Sequence, residues 1–238
     1  MTEETLNKIK SRGYWRINFR PLVIGQKLEL PQCKNVVERN AVNFRGWDYP
    51  HFPQRRGDDT DLVAGNEYYE GWIDWGAHKE IWRMYQSGQF IHYKAVEEDW
   101  FKEDGWYGGT QFQKIEPGTI LAILNTVYLI TEIFEFLSRI AKTGLFYKEG
   151  VMLDIGLIRT AKRQLVMMDP MRGHLFDKYV ARIDAIPFSH QYSSDEIIQN
   201  AREEALKAIV HIFQRFGWDN PPVETFKNDQ EKLVRRQL

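Results

Sequence analysis

The chain has 238 residues, 43% of them hydrophobic and 14% aromatic, which supplies a sizeable core and excludes disorder over most of the length. Its 32 Lys and Arg stand against 33 Asp and Glu, which excludes a bulk positive field able to hold a polyphosphate backbone by charge alone. One cysteine, Cys33, excludes an internal disulfide, and the charged start MTEETLNKIK with no apolar run after it points to a reducing cytoplasm.

Residues 14 to 22 alternate, with Trp15, Ile17 and Phe19 on one side and Tyr14, Arg16, Asn18 and Arg20 on the other. That pattern predicts a strand with a basic polar face. Pro31 to Asn40 reads as a short helix, and Ala41 to Asp48 as a second strand that stops before Pro50. After the polar loop QRRGDDTD, residues 66 to 97 predict three strands, with Ser87-Gly88 as a hairpin turn. Residues 99 to 118, rich in glycine and carrying Trp100, Phe101, Trp106 and Tyr107, read as a long loop of the kind that serves as a lid or a partner-facing anchor.

Ile120, Ile123, Val127, Ile130, Phe134, Leu137 and Ala141 recur at the helical period, with further apolar residues on the flanks. This helix belongs in the centre of the fold. Asn125, Glu132, Glu135 and Arg139 interrupt it where a membrane span would be continuously apolar. Val151 to Ile158 and Arg163 to Asp169 look like a hairpin, and ARIDAIPFSHQY like a strand that Pro187 confines to an edge. Ser193 and Glu196 have capping-box spacing ahead of an amphipathic helix that Gly217 ends. Residues 221 to 238 read as a last, mostly polar helix. No linker or repeat divides the chain, so 1–238 forms a single α+β domain, a mostly antiparallel sheet packed on one long buried helix and a C-terminal amphipathic helix.

No phosphate-cradling glycine loop, dinucleotide fingerprint, nucleophile elbow or paired-histidine zinc motif occurs. No cofactor or metal is expected. His78 with Glu80, and His92 with Lys94, share strand faces and read as exposed or hydrogen-bonded surface residues, while Cys33 reads as an inert thiol. Glu132 and Glu135 lie three apart on the long helix and would suit acid–base or divalent-metal chemistry if they faced a cavity. If they faced water, Glu135 and Arg139 would form a helical ion pair. In NFRGWDYPH, Arg45, Trp47 and Tyr49 alternate onto one side of the expected strand, leaving a guanidinium against rings with donors to spare, or else paired with Asp48 or another acid.

The stretches GYWRINFRPL, NFRGWDYPH, WGAHKEIWRMYQSGQFIHY, TEIFEFLSRIA and FQRFGWDNPP together resemble an uncharacterised bacterial module associated with the region after a Schlafen-like AlbA_2 nucleic-acid-binding domain. The likeness spans most of the chain and implies company with nucleic-acid or defence-type systems. It carries no catalytic residue, and because the matched stretch begins at Gly13 the expectation is a module without a preceding AlbA_2 domain.

The expectation is therefore a cytoplasmic, non-catalytic interaction or sensing module. Arg16, Arg20, Arg45, Trp47 and Tyr49 would form a groove, with Trp100, Trp106 and Tyr107 closing over it, for a partner protein, a small anionic ligand or a nucleic-acid end. The alternatives are a metal-dependent hydrolase or nuclease using Glu132 and Glu135, and a structural subunit of a homo-oligomer.

Overall fold

A computed structural model of the chain describes residues 2–25, 27–54, 56–57, 59–103, 114–169, 171–173 and 175–237. Seven antiparallel strands make the main sheet: β1 (Tyr14–Pro21), β4 (Thr60–Ala64), β5 (Tyr68–Trp75), β6 (His78–Tyr85), β7 (Phe90–Ala95), β9 (Val151–Ile158) and β11 (Ala185–Tyr192), in the order β11-β9-β1-β7-β6-β5-β4. Two small two-stranded sheets stand beside it, β2 (Val42–Asn43) with β3 (Asp48–Tyr49), and β8 (Ile120–Ala122) with β10 (Gln164–Val166). The α+β architecture is as the sequence pattern predicts.

Alternation along the strands decides which side each residue takes. Trp15, Ile17 and Phe19 of β1 are buried together with Phe90 of β7 and Leu153, Ile155 and Leu157 of β9, and helix α3 (Ile123–Lys142) packs on that face. Phe136 of α3 meets the rings of Phe19 at 6.0 Å and Phe90 at 5.1 Å. Helix α4 (Ser194–Gln214) covers the outer side of α3 and touches β11, and α5 (Val223–Val234) rests on both helices. Ser193 accepts a hydrogen bond from the Glu196 backbone N–H at 3.2 Å, so the cap read from the sequence starts α4. Pro187 lies in β11, at an edge of the main sheet, where a missing donor costs no ladder bond.

On the opposite face lies helix α1 (Thr2–Ser11), which the charged start had concealed; Leu6 and Ile9, three apart, mark its apolar side. It joins Trp72, Ile81, Trp100 and Phe101 in a second, smaller core. Helix α2 (Leu30–Asn40) buries Cys33 and Val37 on the α3 side.

Three local expectations are corrected. Ala41 to Asp48 is no single strand: the chain turns at Gly46, φ +91°, and its two short arms pair with each other, Val42 opposite Tyr49. Val151–Ile158 and Gln164–Val166 form no hairpin, because β9 is taken on both sides by β1 and β11 while β10 runs parallel to β8. The long helix begins at Ile123 and not at Ile120, because Ile120–Ala122 is drawn into β8 beside β10; the last helix, α5, is mostly polar and buries Phe226 and Leu233.

Candidate functional site

The segment Asn43 to His51 folds down over one end of the α3-facing side of the sheet, and beneath it lies a charge cluster. Glu80 of β6 stands opposite Lys94 of β7, and Trp82 opposite His92, so strand register alone sets these four side chains on one face. Glu80 accepts from the His51 backbone N–H at 2.5 Å and lies 3.5 Å from Lys94 Nζ, 3.4 Å from His92 Nε2 and 3.5 Å from His78 Nε2. Lys94 Nζ also reaches Glu97 at 3.0 Å, and Glu97 lies 3.6 Å from His78 Nδ1. His92 Nδ1 meets the Tyr49 hydroxyl at 3.1 Å. Arg45 grips Glu132 of α3 with two bonds, Nε to Oε1 at 2.9 Å and Nη2 to Oε2 at 2.6 Å. His78, Glu80, His92 and Lys94, which read as surface residues, form the floor or the wall of this cluster, and Glu80, His92 and Lys94 are buried.

Burial alone would push the Glu80 carboxyl up, but Lys94, His78 and His92 hold it well below the ordinary carboxylate range. Glu97 is held low in the same way, against its burial, by Lys94, His78 and Arg45. Burial disfavours the Lys94 ammonium, and Glu97 and Glu80 more than offset that, leaving its pKa raised. For His92 and His51 burial dominates despite Glu80, so both imidazoles are lowered and stay neutral near pH 7. Desolvation raises the Tyr49 phenol well above its ordinary value, with Glu80 and Glu132 adding to it, so it serves as a donor and not as a nucleophile. This concentration of perturbed groups makes the cluster the candidate site.

Above this floor runs a strip of four rings. Trp47 lies 5.7 Å from His78, His78 5.8 Å from His51, and His51 5.1 Å from Trp75, centroid to centroid. Trp47 is 39% exposed, and the other three are half-buried. On the α3 side, Arg45, Lys94, Glu97, Glu98, Asn125 and Thr126 line a hollow of only about 20 Å³, room for about one water.

Glu98, buried in that hollow wall, accepts from the Ala122 N–H at 3.0 Å and from Asn125 Nδ2 at 3.4 Å. Burial, reinforced by Glu97 and Asp99, pushes its carboxyl up to about 7. A carboxyl raised on folding favours the folded state most at pH below its unfolded pKa and loses that contribution as pH rises through its folded one. Glu98→Gln, which keeps the accepting oxygen, therefore stabilises the protein relative to wild type as pH climbs from about 4.5 to 7, by about 3 kcal/mol at pH 8. Urea unfolding of both proteins at pH 5 and pH 8 reads this difference, and the lowered His51 and His92 cancel in the comparison.

The groove expected from sequence does not assemble. Arg16 and Arg20 are exposed on the sheet face opposite α3, since their β1 neighbours Trp15, Ile17 and Phe19 point into the core. Arg45 is on the α3 side with its fork on Glu132, and Tyr49 is buried beneath it, so of this set Trp47 alone is exposed to solvent at the strip. Trp100 is no lid residue: it is 3% exposed in the second core, with Arg12 3.9 Å and Lys79 4.7 Å from its ring centre. Trp106 and Tyr107 lie outside the described residues. Glu132 and Glu135 do not face one cavity, because Glu135 turns toward Arg202 of α4 at 3.7 Å. Arg139 donates to the Ala41 carbonyl at 2.6 Å instead of pairing with Glu135. Cys33 is buried and its thiol is pushed up to about 11 by desolvation, as an inert core residue should be.

Among the described residues no group of three or more His, Cys, Asp or Glu is placed to hold a metal ion, and no helix is long and apolar enough to cross a membrane. No family model, no curated protein and no solved structure matches the chain.

Proposed function

We propose that the protein is a non-catalytic recognition module that receives a positively charged side chain of a partner protein on the ring strip of Trp47, His78, His51 and Trp75. The observation that supports this reading most is the charge beneath the rings: three carboxylates, Glu80, Glu97 and Glu132, are set against two cations, Lys94 and Arg45. Aromatic faces attract a guanidinium or ammonium by about 0.5–1 kcal/mol in the open and about 2 kcal/mol when desolvated. The carboxylate in excess adds to that attraction. An anion gains neither, because ring faces repel it and the carboxylates beneath outnumber the cations. The resemblance to the AlbA_2-associated module makes a protein of a nucleic-acid or defence-type system the source of the side chain in this reading.

A hydrolase built on Glu132 and Glu135 has less behind it, since the two carboxylates are engaged by cations on different elements.

Tryptophan fluorescence tests the proposal, with arginine amide as the probe and citrulline amide, which has the same α-amino group but an uncharged side chain, as its isostere. Arginine amide is expected to saturate with a dissociation constant of about 1 mM, weakening as salt is raised, and citrulline amide to give no saturable change. Equal responses to both probes would remove charge from the account.

A further inference from the structure

We infer that a second site, separate from the ring strip, binds a small organic anion in the cleft between the start of α3, the segment after β10 and the C-terminal end of α5. The cleft measures about 450 Å³, a volume suited to a small ligand, and its lining includes Asn125, Tyr128, Met168, Arg172, Lys232 and Gln237.

Its polar groups are mostly donors. Lys232 is exposed, and its ammonium meets no acid among the described residues. Arg172 is fixed by Asp229, which accepts from Nη1 at 2.7 Å and Nη2 at 2.6 Å, and by Asp169, 3.3 Å from Nε. A guanidinium has five N–H groups, so this arrangement leaves one on each terminal nitrogen while removing the entropy cost of orienting them. The Tyr128 phenol, raised by burial and then by Asp229, stays protonated and able to donate, and the amide of Gln237 completes the set, while the Asn125 amide is turned to Glu98.

Acids are the competitors: Asp169 lines the cleft itself, and Asp229 lies behind Arg172. Asp229 is buried under Arg172, and Asp169 is held between Arg172 and the Met171 N–H at 2.9 Å. Beside the cleft, Arg236 donates to the Asn43 carbonyl and Arg235 lies 3.8 Å from Glu231. Lys232 and Arg236 thus add positive charge that no carboxylate among the described residues answers. Leu124 and Met168 give the remaining wall an apolar surface, which favours an anion carried on an apolar body over a bare oxyanion.

The unfolding midpoint of the full chain tests this with four probes: phenyl phosphate, benzoate, inorganic phosphate and neutral benzamide. A ligand bound by the native state alone raises the midpoint. Phenyl phosphate or benzoate is expected to raise it with concentration, phosphate and benzamide to leave it unchanged, and Lys232→Ala with Tyr128→Phe to weaken the response by about tenfold or more, the loss of about 1.4 kcal/mol. The inference is overturned if neither organic anion acts, if benzamide or phosphate acts equally, or if the double variant responds as wild type does. The same variant should leave the arginine amide response intact, which separates this site from the ring strip.

Discussion

Asp99→Ala is expected to destabilise the protein by about 3–5 kcal/mol, a large share of the roughly 5–15 kcal/mol that a domain possesses. Asp99 is 2% exposed and Arg163 has no exposure at all. The carboxylate accepts from both terminal nitrogens of Arg163, and also from the backbone N–H groups of Gly13 and Gly118, each at 2.8 Å. Arg163 also donates to the carbonyls of Arg159 at 2.8 Å and Ile120 at 2.9 Å. One carboxylate therefore ties the entry to β1, the approach to β8 and the turn before β10. Removing it strands a buried guanidinium and two backbone donors together.

Gly13 is part of the same device, because a Cβ at that position would come within 2.0 Å of Arg163 Nη2. Asp99→Leu with Arg163→Met should cost less than Asp99→Ala, since a buried ion pair replaced whole leaves no orphaned charge. Urea unfolding of the three proteins checks both statements. A loss under about 1 kcal/mol for Asp99→Ala would show that the pair is not buried as described.

The second large effect concerns Arg45. Arg45→Met is expected to cost about 3–5 kcal/mol, because it leaves the Glu132 carboxylate, 1% exposed, without its bidentate partner. Arg45→Met with Glu132→Leu should recover part of that loss. An arginine held for ligand binding would behave in the opposite way, with Arg45→Met removing binding and leaving the unfolding midpoint in place. Chemical denaturation of the two single variants and the double variant, read as a cycle, distinguishes these roles.

Much of the fold was legible because its signals are local. Trp15, Ile17 and Phe19 state the inner face of β1 by alternation, the three- and four-residue steps from Ile123 to Ala141 state a buried helix, and Ser193 with Glu196 states a cap. What escaped depends on pairing between distant segments. β9 looks like half of a hairpin until β1 and β11 claim its two edges, and no residue within it announces them. Helix α1 is polar enough that its two apolar residues, Leu6 and Ile9, gain meaning only against Trp72 and Ile81.

The candidate site was half legible for the same reason. NFRGWDYPH stood out by its mixture of rings and charges, and it does cover the cluster. His92 and Lys94 sit two apart behind Phe90, on the face that Phe90 buries, a cue that their side chains are also inside. That cue lost to the general rule that Lys and Glu stay in water. Only the register of β6 against β7, which sets Glu80 opposite Lys94, shows how two buried charges satisfy each other. The reach of Arg45 to Glu132, across 87 positions of sequence, is a tertiary fact with no local trace.

The most direct test of the recognition proposal uses the tryptophans as reporters, through their indole N–H resonances during titration with arginine amide. Trp47 and Trp75 are expected to shift together and saturate, while Trp15, Trp72, Trp82 and Trp100, each no more than 3% exposed, stay fixed. Saturation with Trp47 and Trp75 unmoved, or with the buried four moving instead, would contradict a cation seated on that strip.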